Sequence, residues 1–523
     1  MDPSIYRNRW QELRDGAGDA EALQELARQI AFSFVDGHFQ DGAYGSDYID
    51  LLCEMATSDA PAGSGDIASA ALFGIIVEKL CDDFEDLPVE VYCRVMSQVI
   101  SYCRTVPAGR KLDARLAEFG LDSCDAIYRR AISMHTRESR GDRKKAPSRI
   151  VLLSRVTIGA DVAILSVMIQ RLRRLFPGTD LVILGSRKLE DLFGGNPDVR
   201  IRELSYARRG GLFERFAAWH AALDVLREEL ADGEEDVLVI DPDSRISQLG
   251  VLPLTREENY RFFNTRDHML SANGRGMAEW TNEWIDAAFG EADFAYPTIW
   301  VPQTVMTSGK GMIDTLRAAG ARHIVAMNLG VGQNPRKRVG LQFEKRLLRA
   351  LASTPGTVVV LDRGFGADEE ERCSRLLADL REHGFTGAEA SFASAECPSL
   401  SHGVVAVSCG IGEMAALIAH SDEYIGYDSA CQHIAAAAGT PTLTVFAGSN
   451  NKNFVRRWSA CGDTDCRIVH VNTLSDTEHL DADEVVARVM RERESRTATV
   501  SGPAVREIRM GRMSETTREV SKR

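Results

Sequence analysis

The stretch YIGYDSACQHIAAAAGTPTLTVF, from Tyr424 to Phe446, decides how this chain folds. It reads as a short apolar strand, a turn holding Asp428 and Ser429, a helix of small residues through Ala438, and a second strand. Gly439 supplies a helix stop and Pro441 forbids continuation, the asymmetry expected at a helix C-terminus. The β-branched run TLTVF then reads as a buried strand. In an open α/β sheet, the helix N-terminus beyond such a strand turns free N–H groups and positive dipole toward the crevice. A phosphate or pyrophosphate fits there. Asp428 at the strand tip and His433 one turn inside the helix are both within reach of that ligand.

Working outward, the 523 residues leave room for roughly two to four domains. A hydrophobic fraction of 44% and a charged fraction of 26% describe an ordinary globular chain. The formal charge of −14 argues against nucleic acid as a partner, since no basic excess is present to release counterions. The start, MDPSIYRNRWQELRDG, is polar and lacks the apolar core of a signal peptide. The longest apolar stretch, near Ala70 to Val77, is too short for a bilayer. A cytoplasmic protein is expected, with the inner face of the cytoplasmic membrane as a place it can work. The eleven cysteines contain no C-x-x-C pair and read as buried thiols, with no metal site expected.

Residues 1–140 carry apolar residues at helical spacing, as in EALQELARQIAFSFVDGHF and PVEVYCRVMSQVISYCRTV, and are expected to form an all-helical accessory domain. The charged run Thr136 to Ser148 reads as a linker. After it the period changes. RIVLLSRV, DLVILGS and DVLVIDPDSR read as strands separated by helical patterns, so 149–310 is expected to be one parallel α/β domain. HIVAMNLGVG, TVVVLDRGFG and the opening stretch repeat the pattern over 320–495. The tail 497–523 is polar and expected to be mobile. Two doubly wound domains in tandem enclose a cleft between the strand C-termini of both sheets.

Three motifs occur in a defined order. RVTIGADVAILSVMIQRLRRLFPG holds Arg155, Gly159 and Asp161 at a helix start; NLGVGQNPRKRVGLQFEKRLL holds Lys337 and Arg338 after a glycine-bearing loop; the opening stretch holds Asp428 to His433. Gly330 and Gly332 let backbone approach a phosphate closely. Cations near a helix N-terminus oppose its dipole, so a bound anion would explain Lys337 and Arg338. Together the motifs resemble glycosyltransferase family nine, the ADP-heptose:lipopolysaccharide heptosyltransferases, over roughly residues 149–495. The resemblance leaves the helical N-terminal region unexplained.

That resemblance implies the GT-B fold, two Rossmann-like domains facing a cleft. It implies an inverting, metal-independent transfer from a nucleotide sugar, ADP-heptose, to a hydroxyl of a lipopolysaccharide or other glycan, with no cofactor beyond that co-substrate. By the same resemblance Asp161 is the catalytic base, although Ala160 stands between it and Gly159. Lys337, Arg338 and Gly332 face the donor diphosphate, and Glu369 the donor ribose. Asp428 meets sugar hydroxyls, while Ser429, Ala430, Cys431 and His433 meet the phosphates, Ala430 replacing a glycine. Ser449 lies in a further donor loop. In the first domain Asp241, Asp243 and Arg245 end a strand on the acceptor face. The donor base is not legible, so a UDP- or GDP-sugar with a protein or small-molecule acceptor stays open. So does an inert sugar-nucleotide-binding scaffold whose helical domain oligomerises or docks a partner.

Overall fold

A computed structural model describes residues 2–497 except 17–18, 79, 81–88, 137–145, 208–209, 231–235, 267–274, 333, 395–396 and 475–479. Most of the expected linker and the tail beyond 497 lie outside the described residues. Two all-parallel sheets form the frame. The first contains β1 (Arg149–Leu153), β2 (Asp180–Gly185), β3 (Val199–Glu203), β4 (Val237–Asp241) and β5 (Tyr260–Phe262), in the order β3-β2-β1-β4-β5. The second contains β6 (His323–Asn328), β7 (Thr357–Asp362), β8 (Gly387–Ser391), β9 (Gly403–Ser408), β10 (Glu423–Tyr427), β11 (Thr442–Phe446) and β12 (Cys466–His470). Its order is β12-β11-β10-β6-β7-β9-β8.

Parallel strands need crossover helices, which cover both sheet faces and force the strands to be apolar throughout. Ile150 to Leu153 and Ile324 to Met327 are accordingly fully buried. The opening stretch folds as read. Strand β10 runs into the helix Ala430–Ala437, Gly439 takes φ +74° just past it, and β11 pairs beside β10 with Ile425 opposite Leu443. Strands β3, β5, β8, β9 and β12 were not expected from the sequence. Four of them are sheet edges, and edge strands such as VRIRE and GAEAS bury too little to show an apolar run.

Ahead of the first sheet, helices Pro3–Asp15, Ala20–Asp41, Ser46–Ala56, Ser64–Ala71, Val89–Thr105, Arg110–Ala117 and Cys124–Thr136 pack around Trp10, Phe34 and Tyr92. Their core is continuous with one face of the first sheet through Val151, Val182, Phe216 and Trp219. The helical region therefore shares a hydrophobic core with the first sheet. No helix among the described residues is long and apolar enough to cross a membrane.

Candidate functional site

The strand order reverses between β1 and β4 in the first sheet and between β6 and β10 in the second. Ligands of open α/β sheets bind in the crevice beyond the strand C-termini at such a point. The loops that leave these four strands carry nearly all the residues singled out by sequence.

At the second crest the loop after β6 closes in a tight turn, Pro335–Lys337, fixed by Asn334, whose side chain accepts from the Arg336 N–H at 3.2 Å. Gly448, after β11, touches that turn so closely that a Cβ there would lie 2.5 Å from the Arg336 carbonyl oxygen. The turn aims Lys337 at the tip of β10. Its Nζ donates to Asp428 Oδ2 at 2.6 Å and lies 5.6 Å from the Phe454 ring centroid. The other carboxylate oxygen of Asp428 accepts from Gln432 Nε2 at 2.7 Å. Ser429 is the N-cap residue of the next helix but makes no capping bond to it. Its hydroxyl donates instead to Asn328 Oδ1 at 3.3 Å. The first N–H groups of that helix thus carry no side-chain cap, the condition in which a helix N-terminus takes an anion.

Beside this pair, Arg338 Nη2 meets Glu369 Oε1 at 3.1 Å, and Glu369 Oε2 accepts from the Phe365 N–H at 3.0 Å. Arg338, Glu369, Gly330 and Asp362 line one small cleft. Cys431 turns its side chain into the core and is 2% exposed. Ala430 is half-buried, and Gly332 (φ +59°) shapes the loop ahead of the Lys337 turn. Ser449 stays local: its hydroxyl accepts from the Asn451 N–H and its carbonyl bonds the His470 ring. Burial lowers His433 to about 4, with Asp428 pulling up and Lys337 pushing down, so it is a neutral imidazole near neutral pH.

Two residues here were missed from sequence. Asn328 ends β6 and donates to Asp362, which ends β7, at 2.6 Å. Burial raises the Asp362 carboxyl, against hydrogen bonds from the Gly364 N–H and Asn328. A single polar residue closing each apolar run, HIVAMN and TVVVLD, was the available signal.

The first crest is built the other way. Asp161 is 1% exposed, with Ser154 Oγ donating to one oxygen at 2.8 Å and the Arg155 N–H to the other at 2.7 Å. Its carboxylate fastens the loop after β1. Asp241 and Asp243, expected on an open acceptor face, have no accessible surface. Asp241 accepts from Tyr260 Oη and the Ser244 N–H, and burial pushes it up to about 6. Asp243 is held by Thr265 at 2.8 Å, Arg266 at 2.9 and 3.0 Å, and Arg155 at 3.6 Å. Burial would raise it, but Arg266 and Arg155 outweigh burial and hold it below the usual carboxylate range. Arg245 is half-buried next to them. The physical reason is packing. The helical region clasps the loop after β4, with Tyr92 donating to the Gln248 carbonyl and Arg130 to those of Gly250 and Val251.

The two crests meet directly. A Cβ on Gly159 would lie 3.0 Å from His433 Cδ2 and 3.2 Å from Ala430 Cα, so the two helix starts abut. Arg457 crosses the same boundary, donating to the Thr265 carbonyl at 2.9 Å while stacked 4.9 Å over Trp280.

Residues 332–476 match the sequence model of glycosyltransferase family 9 (heptosyltransferase). A comparison with curated proteins gives no match. Among solved structures, the chain is similar to the glycosyl transferase family 9 from Veillonella parvula DSM 2008. Identity is 14%, with 69% of this chain and 100% of that chain covered, at a TM-score of 0.50. It is also similar to the E. coli heptosyltransferase WaaC with ADP, at 17% identity, covering 66% of this chain and 99% of that chain, with a TM-score of 0.44. The first likeness speaks to fold: two parallel sheets facing a cleft, the GT-B arrangement.

Proposed function

We propose, from the match of residues 332–476 to the sequence model of glycosyltransferase family 9, that the protein is an inverting transferase. It moves heptose from ADP-heptose onto a hydroxyl of a glycan such as lipopolysaccharide. The observation that carries this reading is the Lys337–Asp428 pair set at 2.6 Å beside an uncapped helix N-terminus, inside the matched segment.

The chemistry follows from the charges. The acceptor oxygen attacks the anomeric carbon from the face opposite the diphosphate, the new C–O bond forming as the bond to the leaving phosphate oxygen breaks. Negative charge grows on the diphosphate, where the Ser429–Cys431 N–H groups, Lys337 and Arg338 receive it. Asp428 exchanges its Lys337 bond for sugar hydroxyls, and Glu369 accepts from the ribose. The acceptor proton goes to Asp161, two residues beyond Gly159, which abuts Ala430 and His433 of the donor helix.

A second reading is favoured by one observation: both oxygens of Asp161 are occupied and its exposure is 1%. On that reading the protein binds a sugar nucleotide without transferring the sugar. Donor turnover and ADP binding in the intact chain and in Asp161→Asn separate the two. Turnover lost with binding retained supports the base. Binding without turnover in the unaltered protein supports the scaffold, and absence of nucleotide binding contradicts both.

A further inference from the structure

Phe365 is 92% exposed, the most exposed large hydrophobic side chain among the described residues. Water is the costly place for an aromatic ring of that size. The backbone holds it there. Gly364 at φ +87° and Gly366 at φ +89° flank it, a conformation that side chains other than glycine rarely adopt, and its own N–H is tied to Glu369. The loop thus projects one ring into solvent from the end of β7, next to Gly364, which lines a small cleft with Gly330, Arg338 and Glu369. Facing the ring is Lys188, in the loop after β2 of the first sheet, with its Nζ 5.8 Å from the ring centroid. The cleft itself retains an unused donor. Arg338 Nε is buried and has no hydrogen-bond partner among the described residues.

We infer that Phe365 is the platform on which the nucleobase of the donor stacks, with Lys188 of the other domain beside the ring. The inference rests on the donor reading above. With the diphosphate at Lys337 and Ser429 and the ribose at Glu369, the next group along the nucleotide reaches the residue that Glu369 hydrogen-bonds, Phe365. Every base has a π-face, so stacking of this kind sets affinity and leaves base identity to other contacts. A cation beside the ring adds a smaller attraction that depends on the two domains being close.

The test is calorimetric titration of ADP into the full chain and into Phe365→Ala, Phe365→Trp and Lys188→Ala. Because the ring is exposed, each variant should melt where the unaltered protein does. Phe365→Ala should bind about ten-fold more weakly, the loss expected for one base–aromatic stack. Lys188→Ala should lose roughly three-fold. Phe365→Trp should keep the affinity, and its fluorescence should change when ADP binds. Equal affinity of Phe365→Ala and the unaltered protein overturns the inference while leaving the donor reading intact. No ADP binding by the unaltered protein removes the donor reading and this inference with it.

Discussion

At the first crest Asp161, Asp241 and Asp243 keep at most 1% exposure, and each is bound by hydroxyls, N–H groups or guanidinium groups of its own domain. At the second, the side chains of Lys337, Arg338 and Glu369 keep 25%, 19% and 20% exposure, and the neighbouring helix start is uncapped. Both crests stand at a reversal of strand order in a parallel sheet. The difference lies in what covers them. The helical region seals the loop after β4 with Tyr92 and Arg130, whereas the loops after β6 and β7 face a cleft. The same architecture thus closes one crest over its carboxylates and leaves charged side chains of the other partly open.

The sharpest way to break that contrast is to remove one carboxylate from each side. Asp243→Ala strands Arg266 and Arg155 without their buried counter-charge and should cost about 3–5 kcal/mol in chemical denaturation. Asp428→Ala should cost about 1 kcal/mol, because Lys337 retains water. Equal costs would mean the two crests are built alike.

The pH dependence sharpens the picture next. His433 titrates near 4 in the folded protein, below its ordinary value of about 6.5 in the unfolded chain. As pH falls through 6.5 the unfolded chain takes up the proton first, so stability drops down to about pH 4. His433→Gln should flatten that part of the stability curve by up to about 3 kcal/mol. An unchanged curve would place the imidazole in water. Smaller still is the effect of Gly159→Ala, whose methyl presses on Ala430 and His433. It should cost about 1–3 kcal/mol, read as a lower melting temperature. A neutral result would mean that the domains separate freely at this contact.

How much of this was legible in the sequence follows the same division. Interior strands such as RIVLL and TVVVL are buried on both faces and announced themselves as apolar runs. The edge strands did not. β9, GVVAVS, is an interior strand with no signal of its own, since a short apolar run cannot be told from a helix segment by periodicity. For the site, Lys337, Asp428, Arg338 and Glu369 were readable as charged residues at loop–helix junctions. The burial of Asp161, Asp241 and Asp243 was not, because it is imposed by Ser154, Tyr260 and Arg266, distant in sequence or hidden in loops. Phe365 escaped because a single aromatic between glycines carries no periodicity.

The central claim, that the second crest is the donor diphosphate site, is tested most directly by titrating ADP into the full chain and into Lys337→Ala. The unaltered protein should bind, and the variant should bind at least about ten-fold more weakly, as loss of a charge-assisted bond requires, with a melting temperature little changed. Equal affinity in the two proteins, or no binding in either, would contradict it.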